Sequence, residues 1–217
     1  MEPQTENNGQ VHLNTAFGTW LYSVAQIKEL KTFLEIGTWK GNGTTLCTVS
    51  GILKRLEENP GEVHFYSFEA NRTFHIEALN RYALKPYPFL HLVYGKVHTD
   101  GLMTKEEIES HPYFAHVKTH YDLWYGQDCI DYKECPFINL DYLPESIDVL
   151  ILDGGEFSGY GDWEALKKKN PKIVCLDDTC VMKNERVYKE LKEDKTWQLL
   201  AGDEADRHGW AVFGKLF

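Results

Sequence analysis

The chain has 217 residues and 42% hydrophobic content, enough for one domain with a full core and no disulfide or zinc support. A formal net charge of -10 disfavours a surface that tracks nucleic-acid phosphates, and no apolar run approaches the roughly 20 residues of a bilayer span. Five cysteines with no C-x-x-C pair argue against a disulfide framework and a zinc knuckle, and are read as reduced thiols.

The first ten residues, MEPQTENNGQ, lack the basic start and apolar stretch of a signal peptide. Residues 1–14 are therefore expected to form a flexible tail, and the protein to stay in the cytoplasm. Strand-length apolar runs follow at 32–36 (TFLEI), 63–68 (VHFYSF), 89–94 (FLHLVY), 147–152 (IDVLIL) and 172–176 (KIVCL). Between them, TTLCTVSGILKRLEE sets Leu46, Val49, Leu53 and Leu56 on one helical stripe, and DWEALKKK and NERVYKELKED are short amphipathic helices.

This alternation predicts an α/β fold with a mostly parallel sheet and helices on both faces. The terminal runs WQLLAG and GWAVFGK, separated by DEADRH, read as a hairpin. That makes seven strands, the last antiparallel, with His208 as a turn residue. The connection from Lys96 to Ser146 is far longer than a crossover needs. Tyr113, Phe114, His116, His120, Tyr121, Trp124, Tyr125 and Tyr132 make it too aromatic for a disordered linker. It is either a satellite core under a long loop or a lid over an acceptor.

The stretch FLEIGTWKGNG (33–43) stands at the first strand-to-helix turn, where open parallel sheets bind ligands. Its glycines, 37, 41 and 43, are not spaced as in the G-x-G-x-x-G dinucleotide fingerprint. Glu35 would repel a pyrophosphate but suits a ligand with an amino group. Glu69 ends the second strand, where an acid can accept both hydroxyls of an adenosine ribose. Together they describe a nucleoside with a positively charged tail.

In EIGTWKGNG and Glu69 the sequence resembles the class I S-adenosylmethionine (SAM) dependent methyltransferases, from about residue 15 to the end. The resemblance implies the Rossmann-like methyltransferase fold with SAM as cofactor. By motif, Glu35, Gly37, Thr38, Trp39, Gly41, Gly43 and Thr44 would lie near the methionine, Glu69 and Ala70 near the ribose, and Asp153 beside them. One departure is VYGKV after the third strand, where many relatives carry an acid or its amide near the adenine.

LILDGGEFSGYGDW ends the fourth strand with Asp153, and VCLDDTC ends the fifth with Asp177 and Asp178. Three carboxylates on neighbouring strand ends are costly unless a cation intervenes, and oxygen donors suit Mg²⁺, Mn²⁺ or Ca²⁺. The alternative is that Asp153 and Asp178 cap helices while Asp177 is solvated. These acids are similar, one by one, to the metal ligands of O-methyltransferases of the catechol and macrolide-sugar types. That resemblance implies a divalent ion, Mg²⁺ or Mn²⁺, orienting the acceptor hydroxyl. Glu156 occupies the place of the catechol enzymes' catalytic lysine and is the first candidate for general base; Asp162, His91, His98 and His120 are the others.

LDGGEFSGYGDWEALK followed by LDDT is similar to sugar and glycan O-methyltransferases of the FkbM and macrocin types, and to glycan-modifying methyltransferase domains of large algal viruses. The implied acceptor is a hydroxyl of a sugar, such as a terminal rhamnose, with no nucleic-acid partner. Two other readings stand beside it. One is a metal-free methyltransferase acting on nitrogen or oxygen; the other is a catalytically silent SAM-binding module with a protein interface at residues 100 to 140.

Overall fold

The computed structural model describes residues 11–216. Seven strands form one sheet in the order β3-β2-β1-β4-β5-β7-β6. They are β1 (Thr32–Ile36), β2 (His64–Glu69), β3 (Leu90–Tyr94), β4 (Val149–Leu152), β5 (Ile173–Asp177), β6 (Trp197–Asp203) and β7 (Trp210–Lys215). The first five are parallel, and β7 runs antiparallel to both β5 and β6. The chain order reverses between β1 and β4, which pair directly.

Side-chain alternation along each strand divides the interior into two cores. Phe33, Phe65, Val149 and Cys175 face α1 (Ala16–Ala25) and α2 (Thr44–Glu58). Leu34, Leu150, Val174 and Phe213 face α7 (Gly159–Leu166) and α8 (Glu185–Glu193). Burial on both faces is why β4, VLIL, is an unbroken apolar run. The edge strand β6 is mostly exposed.

Helix α2 corrects the stripe read from the sequence. Of its four stripe residues only Val49 is fully buried, and Leu53 and Leu56 flank the core. The deepest face carries Thr45, Thr48, Ile52 and Arg55. Arg55 is buried because its guanidinium donates to the carbonyls of Ile27, Lys28 and Leu30, where α1 hands over to β1. Val11, placed by sequence in a tail, is 2% exposed and packs in the same core as Phe17. Residues 1–10 of that tail lie outside the described residues.

The aromatic connection folds into α4 (Lys105–Ser110), α5 (Phe114–Val117) and α6 (Tyr121–Glu134), after α3 (Arg72–Ala83) and β3. Ile108, Val117 and Tyr121 close a third, smaller core with Phe157 and Met182. The satellite core is thus present, and one side of α6 turns toward the sheet's carboxyl edge. Among the described residues no helix is long and apolar enough to cross a membrane.

Candidate active site

The turn after β1 is held by the protein's own backbone. Gly37 has φ +101°, and a Cβ there would stand 2.0 Å from the Asp153 carbonyl oxygen. Glycine is needed because β1 and β4 end in contact. The Gly37 and Thr38 N–H groups donate to the Phe68 carbonyl at 2.9 and 3.0 Å. At Gly41, φ +72°, a Cβ would meet the Tyr82 ring.

Glu35 lies beneath this turn, fully buried. Its Oε2 accepts hydroxyls of Thr45 (2.7 Å) and Ser67, while Oε1 has no partner among the described residues. Burial pushes its carboxyl up to about 7. Thr38 completes the chain through its hydroxyl on Ser67, and Thr44 donates to Asp153 Oδ2 at 3.2 Å. Glu35, Thr38, Gly41, Gly43 and Thr44 therefore support the turn without lining the cleft beside it; Gly37, Trp39, Glu69, Ala70, Asp153 and Glu156 do line it.

That cleft, about 280 Å³, opens at the carboxyl ends of β1, β2 and β4. Glu69 accepts the Trp39 N–H at 2.6 Å and the Asn71 N–H at 2.8 Å, and burial pushes its carboxyl up to about 7. The Asn71 amide donates to Asp131 of α6, which ties the β2 turn to the aromatic connection. Six carboxylates line the walls, from Glu69, Asp128, Asp131, Asp153, Glu156 and Asp162, against two ammonium groups, Lys96 and Lys183. Such a surface attracts cations and repels pyrophosphate. Asp128, on α6, accepts the Phe157 N–H at 3.3 Å and is pushed up to about 7 by burial. Burial also raises Glu156.

Of the other base candidates, Asp162 accepts the Ser158 hydroxyl at 3.0 Å and faces His98 Nε2 at 3.3 Å. His98 Nδ1 accepts the Gly101 N–H, which leaves its proton on Nε2, toward Asp162. His91 stacks on Tyr66 and His120 on Trp124, and neither lines the cleft.

Asp153, Asp177 and Asp178 converge, one oxygen of each lying within 4.8 Å of the others. Consecutive strand residues point to opposite faces, but Asp178 adopts φ +55°, and this left-handed turn brings the pair to one cluster. An all-carboxylate donor set of this size fits a hard divalent ion. Two protein cations are already there. Lys183 Nζ lies 2.6 Å from Asp153 Oδ1 and 2.9 Å from Asp178 Oδ2, and Arg207 Nη2 lies 2.7 Å from Asp177 Oδ2. Burial raises Asp177 to about 7 and opposes ionisation of Asp178, yet the Lys183 ammonium holds Asp178 below the usual carboxylate range. Asn184 fixes the frame by donating to the carbonyls of Leu152 and Asp177, the ends of β4 and β5.

The chain is similar in structure to a methyltransferase from Geobacter sulfurreducens, with TM-score 0.56 and 12% identity over 97% of this chain and 83% of that one. It is also similar to an O-methyltransferase from Bacillus cereus in complex with S-adenosylhomocysteine, with TM-score 0.57 and 13% identity over 91% and 80%. A third is the O-methyltransferase of Streptomyces achromogenes involved in tomaymycin synthesis, in complex with SAM, with TM-score 0.54 and 14% identity over 92% and 79%. No protein-family model matches the sequence, and no curated protein matches it.

The chain has the Rossmann-like methyltransferase fold. In this fold class ligands bind where the strand order reverses, here between β1 and β4, and the acidic cleft opens at that point. Within the methyltransferase fold, sequence reasoning missed Lys183, Arg207, Asp128 and Asp131. Lys183 had a visible signal, standing five residues after Asp178 and just before α8. Arg207 had none, because its partner lies 30 residues away.

Proposed function

We propose that the protein is a SAM-dependent O-methyltransferase acting on a sugar hydroxyl, with a divalent ion held by Asp153, Asp177 and Asp178. The observation that carries this reading is the carboxylate-lined cleft at the strand switch point, with Glu69 at the end of β2 and Asp153 at the end of β4. A sulfonium nucleoside suits that charge, and Glu69 keeps acceptor capacity for ribose hydroxyls beyond its two N–H bonds. The sugar acceptor is supported by the similarity of LDGGEFSGYGDWEALK and LDDT to sugar O-methyltransferases.

In the transfer, the acceptor oxygen forms a bond to the methyl carbon as the carbon–sulfur bond breaks, its electrons staying on sulfur. Glu156 on the cleft wall takes the hydroxyl proton. Glu69 and the Trp39 turn hold the nucleoside so that the methyl faces the acceptor. A divalent ion, when bound, supplies Lewis-acid polarisation of the acceptor hydroxyl.

The test is calorimetric titration of S-adenosylhomocysteine, with NAD as control, followed by methyl transfer from labelled SAM to rhamnose-terminated glycans. Binding of the homocysteine compound and methylation of a glycan are expected; absence of binding overturns the reading. A second reading, transfer without a metal, is favoured by Lys183, which already pairs with two of the three aspartates. Turnover unchanged after exhaustive EDTA dialysis selects it.

A further inference from the structure

Lys183 reaches the carboxylate cluster from the segment before α8 and ends between Asp153 and Asp178, with its side chain 7% exposed. Its two hydrogen bonds both go to these carboxylates. A divalent ion bound to the same two aspartates sits about 2.0 to 2.6 Å from their oxygens. An ammonium 2.6 and 2.9 Å from those oxygens occupies overlapping space and carries the same sign of charge. The cluster can satisfy the lysine or the ion, but holding both in this arrangement is costly.

We infer that Lys183 is an internal competitor for the divalent ion: it pairs with Asp153 and Asp178 in the ion-free protein and must leave them for the ion to enter. The inference rests on the reading of the three aspartates as an ion site. It gives Lys183 two linked effects. It stabilises the ion-free protein, where three converging carboxylates would otherwise repel, and it weakens ion affinity by the free energy of breaking its own pairs. Arg207 differs, because among the described residues its ion pair is with Asp177 and not with Asp153 or Asp178.

The probe is Mn²⁺, with binding followed by electron paramagnetic resonance on wild type and Lys183→Met, a variant of similar length without charge. The variant should bind Mn²⁺ at least about ten-fold more tightly. Its ion-free form should melt below wild type, and Mn²⁺ should raise its melting temperature more than it raises that of wild type. A wild-type far-ultraviolet circular dichroism spectrum and a cooperative urea transition show that the variant is folded. If both proteins bind Mn²⁺ equally, the competition is wrong while the ion site stands; if neither binds at millimolar Mn²⁺, both are wrong. A measurement on wild type needs no variant. The buried Lys183 ammonium should give a ¹⁵N-edited proton signal that is lost or shifted on adding Mg²⁺, and a signal unmoved at saturating Mg²⁺ overturns the inference.

Discussion

Arg207, in the turn before β7, donates from Nη2 to Asp177 Oδ2 at 2.7 Å, tying the terminal hairpin to the end of β5. Asp177 is 3% exposed, so removing the arginine leaves a buried carboxylate short of its counter-charge. Arg207→Ala should destabilise the protein by about 3 kcal/mol at pH 8, the lower end for breaking a buried pair, since the arginine is partly exposed. The loss should be smaller at pH 5. Burial pushes Asp177 up to about 7 even beside Arg207, so at pH 5 it is largely protonated in both proteins and little charge is left unpaired. Urea unfolding at both pH values measures this, and an equal loss at both would rule out the ion pair as the cause.

Glu35 makes stability fall as pH rises. Its folded value is about 7 against an ordinary 4.5, so between these two pH values the folded protein binds the proton and the unfolded chain does not. Above about 7 both forms are ionised, and the folded state carries the whole penalty, about 3 kcal/mol. Glu35→Gln cannot titrate, so its melting temperature should decline less than that of wild type from pH 5 to pH 8. Parallel melting curves across that range would refute the assignment.

The strands were legible because burial on both faces gives unbroken apolar runs, and TFLEI coincides with β1 residue for residue. The helix TTLCTVSGILKRLEE was legible in extent and misread in facing. Leucines mark an apolar stripe, but the deepest positions hold Thr45, Thr48 and Arg55, whose polar groups find buried partners invisible to a hydrophobicity pattern. The acids at strand ends were legible because strand position fixes where they point. Their cations were not, since Lys183 and Arg207 are placed by loop geometry at Asp178 and before β7. Glu35 was assigned to the ligand by motif, whereas its depth comes from Ser67 and Thr45 on neighbouring elements.

Gly37 is demanded by the contact between strand ends. A Cβ there would lie 2.0 Å from the Asp153 carbonyl oxygen, and φ +101° is strained for any other residue. Gly37→Ala should cost at least about 2 kcal/mol and weaken S-adenosylhomocysteine binding as the turn shifts. Gly61→Ala is the control, because no atom of the described residues lies within 4 Å of its Cβ position. It should stay within about 0.5 kcal/mol of wild type. Chemical denaturation of both variants decides the matter, and a Gly37→Ala protein as stable as Gly61→Ala would contradict the close approach.

The cleft's charge should also make recognition of SAM depend on pH in a way that recognition of S-adenosylhomocysteine does not. Glu69 and Asp128 line the cleft, and burial pushes both up to about 7. At pH 8 both are ionised and attract the sulfonium; at pH 6 both are largely protonated and that attraction is lost. The homocysteine compound has a neutral sulfur and otherwise the same contacts, so it reports every pH effect except this one. Lowering the pH from 8 to 6 should raise the dissociation constant of SAM about ten-fold relative to that of S-adenosylhomocysteine, or about 1.4 kcal/mol, within reach of a carboxylate acting on a partly buried cation. Asp128→Asn should reduce this change while Glu69 keeps the remainder. A ratio of the two constants that does not move with pH would show that the cleft's carboxylates do not recognise the sulfonium.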